Sequence, residues 1–388
     1  MTERALDTSD LDNYMGKQLR SAESFEPVGN NDIRRWVQAM HYPNRLHYDR
    51  DYAAESRYGH IIAPQSFSVA MDDGHGAVPA CVGKIPNSHL IFGGDEWWFY
   101  GPTIKAGDMI HNERFGVDYV VKETAFAGPT CFQRGDNIYY NQAGDKVSTQ
   151  RSTGIRYNPD LAREMKAQTA SEVEPEWTDE QVAELEEKKF EWIQTLHDLG
   201  QGKRLFDSVE VGDKLPTRVF GPHSIASLAT EWRAFPQNLW GAMRLPEGGP
   251  GDLGWVDEMG GHEQDATMQR INPELTDGGY YGPSRGHLFP RYAQRIGMPR
   301  GYGYGASMGA YILDYLAGWA GQWGMITHCI SHYRGPVFTG DITIQTGEIV
   351  EKTTDEEGRS IVRVKSAMTN QEDTILATAK ASIALPTS

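Results

Sequence analysis

The residues best suited to chemistry sit in a stretch that the chain uses twice. Arg45-Leu46-His47-Tyr48-Asp49-Arg50-Asp51-Tyr52-Ala53 returns, trimmed, as Arg285-Gly286-His287-Leu288-Phe289-Pro290-Arg291-Tyr292-Ala293. In both, Arg stands two residues before His, and a Tyr-Ala pair follows five and six residues after it. Imidazole is the side chain that moves protons near neutral pH, and a carboxylate can position it for that work. His47 and His287 could equally hydrogen-bond a strand carbonyl and serve packing alone.

A second matched pair keeps the same order along the chain. The run from Tyr100 to Gly107-Asp108 answers the run from Tyr333 to Gly340-Asp341, with one spacing from Tyr to Gly-Asp. Two such pairs point to two copies of one domain. A chain of 388 residues, 39% hydrophobic, is long enough to bury two cores. The boundaries read as 1–157 for the first copy, 158–204 for a linker and 205–388 for the second. Trp36 lies close before His47 whereas Trp232 lies far before His287, which places an insertion at about 236–282 in the second copy. That insertion is rich in Gly and Pro, contains Trp240 and Trp255, and reads as a loop covering a substrate.

The elements that must position the two histidines follow from periodicity. Asn31-Asp32 cap a helix through Met40 that Pro43 ends, and Pro64 opens an apolar helical segment from Gln65 to Met71. Strands are expected over Glu96–Tyr100, Met109–Val121, Ala125–Arg134, Asp136–Asn141 and Lys146–Tyr157. In the linker, Thr178 and Gln181 suit a capping box opening a charged helix to Leu199. The second copy has a helix around Ser224–Phe235, a buried helix over Gly305–Trp319, and strands over Thr327–Tyr333, Ile342–Glu351, Ser360–Asn370 and Thr374–Leu385. Each half is thus a helix with an antiparallel sheet, an α+β class.

Composition excludes several functions. A net charge of -16 and a pI of about 5.2 disfavour nucleic acid and anionic membranes as partners. The amino terminus lacks a signal-peptide core, and Asp314 interrupts the strongest apolar run, so a cytoplasmic protein is expected. Cys81, Cys131 and Cys329 form no CxxC, and the 12 His show no HExxH, so neither a disulfide framework nor a metal is expected. Gly301-Tyr302-Gly303-Tyr304-Gly305 lacks the strand-turn-helix setting of a dinucleotide site, and no bound cofactor is foreseen.

Asn44-Arg45-Leu46-His47-Tyr48-Asp49 with Tyr52-Ala53, Ser56-Arg57-Tyr58-Gly59 and Ile61-Ile62-Ala63-Pro64 resembles the hydratase motif of the MaoC-like dehydratase family. Arg285-Gly286-His287 through Tyr292-Ala293 to Met298-Pro299, after the acidic linker, resembles the carboxy-terminal half of bacterial acyl dehydratases with two such domains. The resemblance implies a double hotdog fold, each half a long central helix wrapped by an antiparallel sheet. It also implies reversible hydration of 2-enoyl-CoA thioesters, with R stereochemistry and water as cosubstrate.

That reaction needs a base for water, an acid at Cα, and donors for the enolate-like oxygen. The family sets its partner Asp five residues before the His; here those positions are Tyr42 and Gly282. Asp277 beside His287 and Asp49 beside His47 are the possible replacements. Oxyanion and substrate contacts are expected from Gly305 and Ala306 at the second helix start, and from Tyr42, Asn44, Gln65 and Trp240. Arg334 and Lys105 are candidates for the phosphates of CoA. The missing Asp keeps open a non-catalytic acyl-CoA-binding subunit of a heteromeric hydratase. A thioesterase using Asp72 or Asp314, or a lyase on a substrate without CoA, is also open. Pairing of sheet edges suggests a homodimer.

Overall fold

The computed structural model describes residues 5–165, 170–229, 234–237, 242–243, 280–281, 285–287 and 290–388. In chain order the elements are β1 (Ala22–Glu23), α1 (Asn30–Ala39), α2 (Arg50–Glu55), β2 (His89–Phe99), β3 (His111–Thr124), β4 (Gly128–Tyr140) and β5 (Lys146–Tyr157). After α3 (Pro159–Met165) and α4 (Asp179–Leu199) come β6 (Lys214–Phe220), α5 (Ile225–Ala229), β7 (Ala242–Met243) and β8 (Tyr280–Tyr281). The chain closes with α6 (Pro290–Arg295), α7 (Gly305–Ala320), β9 (Met325–Tyr333), β10 (Thr343–Thr354), β11 (Ser360–Thr369) and β12 (Ile375–Ala384).

Ten strands form one sheet in the order β1-β3-β4-β5-β2-β9-β12-β11-β10-β6. Outward from the central β2–β9 pair, the first half runs β5, β4, β3, β1 and the second β12, β11, β10, β6. The two halves therefore have one topology, the structural signature of duplication. Antiparallel pairing of Gly94 through Trp98 with His332 through His328 joins them. Of the insertion expected at 236–282 only a few residues are described; Ala242 pairs with Tyr281 and Met243 with Tyr280.

α7 is the core of the assembly. All but two of its residues are buried, with Met308, Tyr311, Ile312, Tyr315, Leu316 and Trp319 on one broad face and mostly small residues, together with Leu313 and Asp314, on the other. The first half has no such helix. Gln65–Met71, expected to be helical, is a seven-residue 3-10 turn, since Gly74, Gly76 and Pro79 follow it and none favours helix continuation. Likewise β4 runs unbroken through Gly135, where two strands were expected; a side chain there would strike the Pro79 carbonyl.

Two buried polar networks replace the missing helix. Trp36 donates its indole N–H to Ser66 Oγ at 2.9 Å, and Ser66 donates to Asp314 Oδ1 on α7 at 2.6 Å. Asp72 accepts from Arg114 Nε at 3.1 Å, from Asn112 Nδ2 at 2.6 Å, and from the backbone N–H of Gly74 and Gly76. Arg114 Nη2 also contacts both Asp72 and Asp73. Asp72 and Arg114 are both fully buried, so each depends on the other for compensation. Among the described residues no helix is long and apolar enough to cross a membrane, and no cluster of His, Cys, Asp and Glu could hold a metal.

Arg114→Ala should lower the unfolding free energy by about 3–5 kcal/mol, because it strands a buried carboxylate. Arg134→Ala, at the solvent-exposed Arg134–Asp118 pair, should cost under about 1 kcal/mol. Urea denaturation of both variants measures the difference, and equal losses would show that burial does not decide it.

Candidate functional site

Each repeated histidine is anchored in the same way. His47 Nδ1 bonds Ile62 O at 2.8 Å, and His287 Nδ1 bonds Tyr302 O at 2.5 Å, each carbonyl lying 15 residues after its His. A carbonyl can only accept, so Nδ1 carries the proton and Nε2 keeps its lone pair. The backbone thus fixes the tautomer of each imidazole, a task often given to a carboxylate. Burial pushes both imidazoles down to about 4, against the smaller opposing effect of the carbonyl, so both are neutral near pH 7.

The surroundings of the two histidines differ. His47 borders a small cavity of about 80 Å³ with Tyr42, Asn44 and Gln65 on its wall. Those polar groups are engaged with one another and with the backbone. Asn44 Oδ1 accepts from the Leu46 N–H and its Nδ2 donates to Tyr42 Oη at 3.0 Å. The Gln65 amide donates to Ile326 O at 2.8 Å and accepts from Ile326 N at 3.0 Å. Gln65 thereby fastens the first-half turn to β9 instead of offering a donor to substrate. Asp49, considered as a partner for His47, caps α2 through Tyr52 N and pairs with Arg45 at 2.8 Å. Its local sequence neighbours have claimed it.

His287 opens on a larger cavity of about 270 Å³. Gly303, Tyr304, Gly305 and Ala306 border it, so the start of α7 faces the same space as the imidazole. The first N–H groups of a helix have no intrahelical acceptor and carry the positive end of its dipole. Gly305 is required there: a side chain would collide with Phe92 from β2. The far wall comes from the first half, with Leu90, Ile91, Phe92, Phe126, Phe132 and Ile155. That half has no long helix to fill the space.

Other expected positions fare differently. Arg334 is exposed and borders the same cavity. Lys105 borders neither cavity, and its ammonium is held by Asp108 Oδ1 at 2.9 Å. Asp72 and Asp314 are engaged with Arg114 and Ser66 and border neither cavity. Asp277 and Trp240 lie outside the described residues.

Sequence reasoning passed over His75, Asp95 and the chemistry of Tyr333. His75 borders the His287 cavity with a left-handed backbone at φ 57, and burial foremost, then His287, pushes its imidazole down to about 3. Tyr333 also borders it and donates to Asp95 Oδ2 at 2.7 Å. Burial raises the Asp95 carboxyl to about 7, while the bonds from Tyr333 and Gln150 oppose the rise. The one signal in sequence was the match of Tyr333 to Tyr100. A neutral base, a helix start and an apolar chamber together suit proton transfer next to a carbonyl whose oxygen gains charge.

The geometry agrees with what the chain is similar to. Residues 14–150 match the family model described as FAS1-like, dehydratase domain region. A structure named MaoC-like dehydratase superposes with a TM-score of 0.60 at 17% identity, covering 97% of this chain and 100% of the other. A double-hotdog protein of Mycobacterium tuberculosis gives 0.53 at 12% identity, over 97% and 98%. A MaoC-like dehydratase from Phytophthora capsici gives 0.52 at 9% identity, over 98% and 99%. No curated protein sequence matches the chain. The fold is therefore a double hotdog, and residues 14–150 are similar to a FAS1-like dehydratase domain region.

Proposed function

We propose that the His287 cavity hydrates 2-enoyl-CoA thioesters reversibly, without a bound cofactor. The observation that carries this reading is the meeting of His287 and the start of α7 on one apolar chamber. The thioester oxygen accepts from the N–H of Gly305 and Ala306, which draws electrons from Cβ. His287 Nε2 takes a proton from water as its oxygen bonds to Cβ, and the electron pair moves through the enolate to be protonated at Cα. Elimination is the same path reversed. The FAS1-like dehydratase region in residues 14–150 supports a hydro-lyase, and Arg334 at the rim suits the phosphates of CoA.

The chamber wall indicates the acyl group. A dry cavity of about 150 Å³ accommodates benzene, so about 270 Å³ has room for a ring-bearing or branched acyl chain. The engaged polar groups and smaller volume at His47 favour a structural role for that half. Because β2 and β9 join the halves, His287 and the described chamber wall come from one chain, and a homodimer would bring two such chambers together. Three free, buried cysteines suit the reducing cytoplasm, where acyl-CoA is at hand.

Hydration of crotonyl-CoA and cinnamoyl-CoA, followed at the conjugated thioester absorbance, tests the reading. His287→Ala should lose about 10²–10⁴-fold in kcat, the usual worth of a general base. His47→Ala should stay within about threefold of wild type if folded, having only packing to lose. Loss in His47→Ala alone would place the chemistry in the other half. The pH profile should hold level from neutrality down to about pH 5. It should fall as pH approaches about 4, where His287 gains a proton and ceases to be a base. Ile155→Phe, which narrows the far wall, should lower kcat/KM for cinnamoyl-CoA about tenfold relative to crotonyl-CoA. An unchanged ratio would remove that wall from substrate selection.

A further inference from the structure

The hydration reading leaves one role unfilled, because it names a base for water and donors for the thioester oxygen but no acid at Cα, and the position five residues before His287 is Gly282. We propose that Tyr333, backed by Asp95, delivers and removes the proton at Cα in the His287 cavity. The inference rests on the hydration reading and adds a residue pair that straddles the two halves.

Four observations carry it. Tyr333 borders the same cavity as His287, Gly305 and Ala306, and its ring stacks on Phe92 at 6.1 Å between centroids. Its phenol donates to Asp95 Oδ2 at 2.7 Å, and Gln150 Nε2 donates to Asp95 Oδ1 at 2.6 Å. Asp95 is buried on β2, and among the described residues no cation pairs with it. A side chain on Gly309 would come within 2.5 Å of Tyr333 Oη and 2.9 Å of Asp95 Oδ2. The phenol and carboxyl therefore lie against α7 one turn beyond Gly305, about 5–6 Å along the helix from the proposed oxyanion donors.

The pair is suited to proton relay. A buried carboxyl without a cation is held between its two protonation states near neutral pH, as the rise of Asp95 to about 7 reflects. The neighbouring titratable groups, Cys329 on β9 and Tyr139 on β4, are both raised by burial and stay uncharged, so they add no competing charge. His75 faces the cavity too, but burial keeps it neutral and without a proton to give as an acid. In hydration Asp95 starts protonated, so the bond runs from its carboxyl O–H to Tyr333 Oη and the phenolic proton turns to the cavity; Tyr333 gives that proton to Cα and takes the carboxyl proton of Asp95. His287, protonated by the attacking water, returns that proton through cavity water and the phenol to Asp95. One water is added, and every protein group ends as it began. Tyr333 is then a catalytic residue and Asp95 a positioning residue.

Tyr333→Phe and Asp95→Asn, assayed in both directions with crotonyl-CoA and 3-hydroxybutyryl-CoA, test this. Tyr333→Phe should lower kcat by about 10²-fold or more with KM within about threefold. The isotope effect from deuterium at C2 of 3-hydroxybutyryl-CoA should rise, because C–H cleavage becomes slower relative to other steps. Asp95→Asn cannot ionise and accepts through one oxygen where the carboxylate accepts through two, so kcat should fall and the limb near pH 7 that the relay gives the wild type should vanish. A Tyr333→Phe enzyme within threefold of wild type in kcat, or one slowed with an unchanged isotope effect, would overturn the proposal while leaving hydration intact. If Tyr333→Phe does not fold, as melting would reveal, Asp95→Asn decides alone: a lost limb near pH 7 supports the relay and a wild-type profile overturns it. An inactive wild type on crotonyl-CoA and cinnamoyl-CoA would instead defeat the hydration reading itself.

Discussion

The close approach of α7 to the β2–β9 seam is the constraint on which the rest depends. Gly305 and Gly309, one turn apart, let Phe92, Asp95 and Tyr333 press against the helix where any side chain would collide. That contact sets the helix start against the chamber and turns the sheet of one half into the wall of the other's site. A helix standing farther from the seam would leave its N–H groups facing water, where they would do little for a developing charge. The seam is thus the joint of the fold and the floor of the site.

Duplication supplied two equal anchors that then diverged. Both histidines bond a carbonyl 15 residues on, so the tautomer needed for base chemistry is kept in both halves without a carboxylate. What separates them is the element that follows. At Gly305 a full helix begins and presents its first N–H groups; at Gln65 a short turn begins, preceded by Pro64, which has no N–H, and its amide is committed to Ile326. Where the second half has a long helix the first has a short turn and the buried Asp72–Arg114 network, which leaves space beside His287. One half lines the far wall of the chamber, and the other supplies His287 and the start of α7.

Much of this was legible because it is local. The paired His stretches, the Tyr-to-Gly-Asp runs and the glycines ahead of α7 are spacings along a single segment, and the repeat they imply appears as matching strand orders. Several expected site residues have other partners, two of them only three or four residues away along the chain. Asp49 is taken by Arg45 and the α2 cap, Lys105 by Asp108, and Gln65 by a backbone far along the chain. The chamber was not legible, since Leu90, Phe126 and Phe132 meet His287 only through the non-local β2–β9 pairing. Asp95 was hidden for the same reason: in sequence it is one acid in a strand, and only the seam gives it Tyr333.

The central claim is that thioester chemistry takes place between His287 and the start of α7, with the acyl group in the first half. A crystal structure with a non-hydrolysable acyl-CoA thioether carrying an aromatic ring tests it most directly. The account predicts the carbonyl oxygen within hydrogen-bond distance of the Gly305 or Ala306 N–H, and the ring among Phe92, Phe126 and Phe132. An acyl group seated beside His47, or a ligand that leaves the His287 chamber empty, would contradict it.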